Sequence, residues 1–138
     1  MKSWRQQLDE IPGIRCKWST DLTPYSTFRM ASQGDLVEIE SERALADVLR
    51  LLNKHSVPYR ALGWGANQVL APIEQDVLLK LAFAFEPSVF DEVHEEYELP
   101  DSVGLNLLTS HAVNFGLSCW EVLTGIPASV GGVVFMIA

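Results

Sequence analysis

Apolar and polar positions divide the chain into a small set of elements. Residues 1–10 predict a short helix ahead of the Pro12-Gly13 break. Residues 14–34 hold no sustained period and carry the breakers Pro24 and Gly34, so irregular structure is expected there. From Asp35 to Glu40 the pattern alternates in its second half, Val37 and Ile39 against Glu38 and Glu40, which predicts a strand. Ser41 then fits a helix N-cap, since its hydroxyl can accept a first-turn amide. Leu45, Val48, Leu49 and Leu52 follow at helical spacing, carrying the helix to about His55. Val57–Leu62 predicts the next short strand. Strand, helix and strand at this spacing form a β-α-β unit, for which parallel strands and a right-handed crossover are expected.

Asp76–Phe83 reads as a strongly apolar strand, and residues 88–99 predict one or two further strands on an acidic edge. Leu105, Leu108, Ala112 and Phe115 mark a second amphipathic helix. Gly116 is placed to end it in a left-handed conformation, with Leu117 as the apolar residue beyond. No internal repeat or low-complexity linker is visible. The mixture of elements and the hairpin-like acidic strands predict an α+β fold, or α/β with some antiparallel pairing.

Composition narrows the picture. A chain of 138 residues is long enough for one domain with a sizeable core, because a chain of this size buries roughly 70% of its unfolded surface. With 48% apolar and 20% charged residues it is not a disordered chain. The net charge of −8 argues against a basic footprint, so no nucleic-acid partner is expected. Seven of the negative charges fall between Glu86 and Asp101, at Glu86, Asp91, Glu92, Glu95, Glu96, Glu98 and Asp101. This block reads as a solvated hairpin face and lacks the Asx and Gly spacing of a calcium loop. Cys16 and Cys119 form no metal-ligand pattern and no disulfide framework. His55, His94 and His111 are too scattered for a ligand set, so no metal is expected. The N-terminus lacks the apolar stretch of a secretory signal, which makes a reducing cytoplasm the default location. The charge-free run Val122–Ala138 is interrupted by Gly125, Pro127, Gly131 and Gly132 and is short of the ~20 residues of a spanning helix. It reads as a buried loop and helix start, and no membrane partner is expected. The chain ends on Val133-Val134-Phe135-Met136-Ile137-Ala138 with no turn signal, which reads as a truncated chain.

Two loops could carry chemistry. Gly63-Trp64-Gly65-Ala66-Asn67-Gln68 follows a predicted strand, and glycine lets a backbone approach a phosphate closely. A Rossmann reading fails twice. The third glycine of the fingerprint would fall at Gln68, and Pro72 precludes the amphipathic helix that should follow. A tight turn and a phosphate cradle both remain open on spacing alone. In Thr124-Gly125-Ile126-Pro127-Ala128-Ser129-Val130-Gly131-Gly132, Pro127 sets the turn entry and Ser129 can cap a helix starting at Val130. Exposed amides there suit an anion, and plain capping beside close glycine packing is the alternative.

Three stretches taken together resemble the UDP-N-acetylmuramate dehydrogenase family, also called UDP-N-acetylenolpyruvoylglucosamine reductase. They are Pro24-Tyr25-Ser26-Thr27-Phe28-Arg29-Met30, then Ala61-Leu62-Gly63-Trp64-Gly65-Ala66-Asn67, and then Gly116-Leu117-Ser118 through Gly125-Ile126-Pro127-Ala128-Ser129-Val130-Gly131-Gly132. The third is the most specific, and the likeness covers roughly residues 20–138. It implies an α+β, two-subdomain FAD-binding module of the vanillyl-alcohol-oxidase-like (PCMH-type) flavoprotein superfamily, incomplete at its C-terminal end. Residues 1–19 would be an N-terminal extension and 20–138 the FAD-binding domain, in subdomains of about 20–80 and 81–138. The resemblance implies FAD contacts through the backbone at Gly63, Trp64, Gly65, Ala66 and Asn67, around the pyrophosphate. Gly125, Ile126, Ala128, Ser129, Gly131 and Gly132 would line the other side, near the flavin.

The implied chemistry is FAD-dependent reduction of a UDP-linked enolpyruvyl sugar to UDP-N-acetylmuramate. NADPH is the hydride donor, and the setting is cytoplasmic peptidoglycan synthesis, with cell shape and division depending on it. Ala31-Ser32, Trp64, Asp101-Ser102, Ala128 and Ile137 depart from residues usual in the family, most of them glycines. No residue here matches the family's proton-donating serine or its substrate contacts. No catalytic residue is assigned, and the chain alone is expected to be inactive. The rival reading is a non-catalytic flavin- or nucleotide-binding module, or an inactive truncated homologue.

Overall fold

The computed structural model describes residues 1–137. They form two compact units, Met1–Phe83 and Ala84–Ala138. The first opens with α1 (Trp4–Leu8), started by a capping box in which Ser3 Oγ accepts from Gln6 N–H and the Gln6 side chain accepts from Ser3 N–H. Then come β1 (Ile14–Asp21), β2 (Gln33–Ile39), α2 (Glu42–Lys54), β3 (Tyr59–Ala61) and β4 (Val77–Leu81). Ser41 caps α2 as expected, accepting from Ala44 N–H at 3.2 Å.

The sheet order is β1-β2-β4-β3. β1 runs antiparallel to β2, whereas β2–β4 and β3–β4 are parallel. One expectation is corrected here. Residues 14–34 are not irregular throughout, because β1 occupies 14–21. Ile14, Cys16 and Trp18 alternate with Arg15, Lys17 and Ser19, the period of a half-buried strand, and only after Lys17 does an extra residue, with Ser19 at φ 47°, interrupt the pairing. The two strands of the β-α-β unit, β2 and β3, are parallel as expected, with β4 lying between them. Residues 1–19, expected as an extension, carry α1 and most of β1 and are folded into this unit.

Strand alternation gives the sheet two unlike faces. On one, Val37, Ile39, Val77 and Leu79 pack with Leu8 of α1 and with Ala44, Val48 and Leu52 of α2. Each larger apolar side chain buried there contributes about 1.5–3 kcal/mol. On the other, Leu36 and Leu78 pair across β2 and β4 and pack with Leu22, Leu62 and Leu70 from the loops. Two positions further along the same face, Glu38 pairs with Lys80, and the register with β1 adds Arg15 and Lys17. That face thus passes from an apolar patch to a charged one.

The second unit holds a 3-10 turn (Pro87–Phe90), α3 (Leu105–Phe115), a second 3-10 turn (Glu121–Leu123) and α4 (Val130–Ile137). The strands expected over 88–99 are absent among the described residues. Val89, Phe90, Val93 and Tyr97 hold no sustained period, and Phe90 and Tyr97 turn their rings onto His111 of α3. His111 is 2% exposed. Its Nδ1 lies 2.9 Å from Phe90 O, an acceptor, so the proton sits on Nδ1. Nε2 then accepts from the Tyr97 hydroxyl at 2.8 Å. Asp91, Glu92, Glu95, Glu96 and Glu98 are exposed, so the acidic block is solvated without being a hairpin. Gly116 ends α3 at φ 64°, and Leu117 N–H closes onto Ala112 O at 2.9 Å. Among the described residues no helix is long and apolar enough to cross a membrane, and no group of His, Cys, Asp or Glu could hold a metal ion.

Candidate functional site

The loop after β3 is shaped by the segment that precedes β2. Gly65 sits at φ +68°, and a Cβ built there would lie 1.9 Å from Tyr25 O. Only glycine allows the two backbones to approach this closely. Thr27 N–H donates to Gly65 O at 3.1 Å. The Thr27 hydroxyl reaches the carbonyls of Gly65 and Ala66 at 3.4 and 3.5 Å. Ser26 Oγ donates to Gln68 O at 3.2 Å. Carbonyls of the loop are therefore engaged by residues 26–27. Its N–H groups at Gly63, Trp64, Gly65 and Ala66 donate no hydrogen bond among the described residues. A run of unpaired N–H groups around a positive-φ glycine is an arrangement that accepts an anion. Trp64 is 41% exposed. Gln68 Nε2 donates to Ala61 O at 3.0 Å, which ties the end of the loop back to β3. Two of the sequence motifs, 24–30 and 61–67, are thus brought together within the first unit.

Charge around this loop comes from the sheet. Lys80 Nζ donates to Gly63 O at 3.3 Å. Glu38 is engaged by Lys17 at 3.1 Å and by Arg15 at 3.6 Å, and Lys17 also donates to the Tyr25 hydroxyl at 2.9 Å. Its hydrogen bonds to Tyr25 and Glu38 raise the Lys17 pKa, so it stays a cation. All 10 Lys and Arg residues lie in residues 1–83 together with 10 of the 18 Asp and Glu, so this unit is neutral. The second unit carries the entire −8 and no Lys or Arg.

The other predicted stretch lies in that second unit. Ser129 is buried and caps α4, its Oγ accepting from Gly132 N–H at 3.2 Å. Val130 N–H donates to Val103 O at 2.8 Å and Gly131 N–H to Asp101 O at 2.9 Å. The first-turn amides of α4 are thereby occupied from within. A Cβ at Gly131 would meet Asp101 Cβ at 2.5 Å, so glycine is needed where Asp101 crosses the helix start. Burial pushes the Asp101 carboxyl above its ordinary value, and one of its oxygens is buried with no partner. This end of α4 does not favour a phosphate. Gly125 and Ile126 are exposed, and space around Gly125 is open. Neutral surface for a ring system is what this stretch offers.

Residues 35–138 match the FAD binding domain family. The chain belongs to that family. Among curated relatives, UDP-N-acetylenolpyruvoylglucosamine reductase of Syntrophobacter fumaroxidans is 31% identical over 139 residues, covering 94% of this chain and 39% of that protein. The enzyme of the same name from Bacillus licheniformis is 28% identical, covering 95% of this chain and 43% of that protein. The crystal structure of UDP-N-acetylenolpyruvylglucosamine reductase from Thermus caldophilus superposes with a TM-score of 0.63 at 27% identity, covering 88% of this chain and 41% of that one. The chain thus spans about two fifths of the length of these relatives. The α+β FAD-binding module expected from the three motifs is the fold of this FAD binding domain, and FAD is its cofactor.

The residues present fit such a group. Within the first unit, the unpaired amides at 63–66 suit the diphosphate of such a group. Thr27 and Lys80 escape sequence reasoning as site residues. Thr27 lies in a quoted motif but acts on a loop 38 residues away. Lys80 meets Gly63 from a separate strand, 17 residues on. The alternation of β4, which puts Lys80 on the Leu78 face, is the only local signal for it.

Proposed function

We propose that this FAD-binding domain serves a UDP-N-acetylenolpyruvoylglucosamine reductase. The hydride donor is NADPH, the acceptor is the enolpyruvyl double bond of a UDP-linked sugar, and the setting is cytoplasmic peptidoglycan synthesis. The supporting observation is the loop at 63–67, whose carbonyls are engaged by Thr27 and whose amides at 63–66 have no partner among the described residues. When bound, FAD supplies the hydride relay between nicotinamide and alkene. The chain's own work is binding and orientation. Amides of Gly63, Trp64, Gly65 and Ala66 donate to the diphosphate, with Asn67 closing the loop. The family resemblance adds Gly125, Ile126, Ala128, Ser129, Gly131 and Gly132 toward the flavin; of these Gly125 and Ile126 are exposed, whereas Ser129 is buried as the cap of α4. No side chain of this chain takes a proton-donor role, so the isolated chain binds FAD without turnover.

A titration of FAD against the wild type, Gly65→Val and Glu95→Ala by flavin fluorescence tests this reading. Gly65→Val is expected to weaken binding tenfold or more, equivalent to about 1.4 kcal/mol. Glu95→Ala, in the solvated block, leaves it unchanged. Equal binding by all three removes the loop from the site. NADPH oxidation by the isolated chain that depends on the enolpyruvyl sugar, at an ordinary enzyme rate, refutes the division of labour. A second reading, a flavin-binding module with no catalytic role, is favoured by Asp101, whose carboxyl crosses the start of α4 where the family usually has a small neutral pair.

A further inference from the structure

A half-buried ammonium with no carboxylate partner lies at the base of the glycine loop. Lys80 reaches from β4 to Gly63 O, 3.3 Å away, and that is its one hydrogen bond among the described residues. Its register partner Glu38 is held by Lys17 and Arg15, and no carboxylate of the described residues lies within 4.0 Å of Lys80 Nζ. Burial pushes the Lys80 pKa below its ordinary value, the neighbouring Lys17 charge adds to this, and Glu38 opposes it. An ammonium carries three donors, and two are unused here. Withdrawing a charge from water without a partner of opposite sign is costly, and Lys80 is placed that way beside a loop of unpaired N–H groups. The loop itself has donors but no charge, so the two features complement each other at one residue, Gly63. Lys17 cannot take the same part, because its ammonium is bound to the Tyr25 hydroxyl and to Glu38.

We infer that Lys80 is a diphosphate-binding residue of this domain, its free N–H donors meeting the anion that the amides of 63–66 receive. The inference rests on the FAD reading above. It explains how a chain of net charge −8 can hold a dianionic linker: the one cation not matched by a carboxylate on this sheet face stands at the loop.

Lys80→Met keeps most of the apolar stem and removes the charge, while Lys80→Arg keeps the charge. The 138-residue chain and both variants are titrated with FAD by flavin fluorescence at low and high salt, and with riboflavin, which has no phosphate. Thermal midpoints of the unliganded proteins are recorded alongside. Lys80→Met is expected to bind FAD tenfold or more weakly and to lose much of the salt dependence. Its riboflavin binding and unliganded midpoint stay unchanged, and Lys80→Arg keeps most of the affinity. If Lys80→Met binds FAD as the wild type does, the inference is overturned. It is equally overturned if FAD binding, riboflavin binding and midpoint all fall together, which marks a purely structural lysine. A wild type that binds neither FAD nor riboflavin overturns the FAD reading, and this inference with it.

Discussion

Gly65 and Gly125 both adopt positive φ, at +68° and +77°, yet their surroundings differ completely. A methyl group at Gly65 would sit 1.9 Å from Tyr25 O and 2.9 Å from Ser26 Cα, whereas at Gly125 it meets nothing within 4 Å. Alanine at either position bears the left-handed penalty of about 1–2 kcal/mol. At Gly65 the loop must also move by more than an ångström, because backbone cannot yield as a side chain tip can. That displacement strains or breaks the Thr27 N–H to Gly65 O bond, worth about 1 kcal/mol, and overpacking adds about 1 kcal/mol or more. Gly65→Ala is therefore expected to cost about 3–4 kcal/mol and Gly125→Ala about 1–2 kcal/mol. Urea unfolding followed by tryptophan fluorescence and far-UV circular dichroism measures both. FAD titration of the folded Gly65→Ala protein should show at least a tenfold loss, since the amides leave their common alignment. Costs that agree within about 0.5 kcal/mol would mean that φ alone sets the penalty, and the seating of the loop on residues 25–27 would cease to explain the glycine.

Two further outcomes follow from buried groups. The Cys16 thiol is pushed up to about 12 by burial, then by the hydrogen bond and charge of Asp9. At pH 8 a thiol reagent should accordingly label one cysteine per folded chain, the exposed Cys119, and both after denaturation. An unfolded Cys16 ionises near its ordinary 9.0 while the folded one stays neutral, so its contribution to stability is full below pH 9 and is lost as pH rises toward about 12. Fast labelling of two thiols in the native state contradicts this. His111→Leu leaves the Phe90 carbonyl without its donor and the Tyr97 hydroxyl with only the His94 N–H bond, and should destabilise the second unit by about 2–4 kcal/mol in urea unfolding. A loss under about 1 kcal/mol would show that aromatic packing alone holds residues 90–97 on α3.

Elements whose information is local were legible in the sequence. Ser41 and the stripe through Leu52 define α2 because capping and helical burial act within a few turns. Gly116 and Leu117 end α3 because the left-handed closure needs only adjacent residues. The three motifs pointed to the FAD-binding module, whose glycine loop and capped α4 start lie where those motifs place them. Elements that depend on a distant partner were not legible. β1 is an exception, since Ile14, Cys16 and Trp18 alternate with Arg15, Lys17 and Ser19 and its strand period stands in the sequence; what pairing with β2 alone decides is its register and the extra residue at Ser19. Residues 88–99 hold the apolar and aromatic residues Val89, Phe90, Val93 and Tyr97 without a sustained period, and the buried His111 collects two of their rings. That β4 separates β2 from β3 is a fact of pairing between segments far apart in the chain, which no local period encodes. The candidate site divides in the same way. Glycine at 63 and 65 announces a loop that tolerates close approach. Which of its amides stay unpaired, and which ammonium stands beneath them, is set by Thr27 and Lys80, delivered by the fold from other strands and turns.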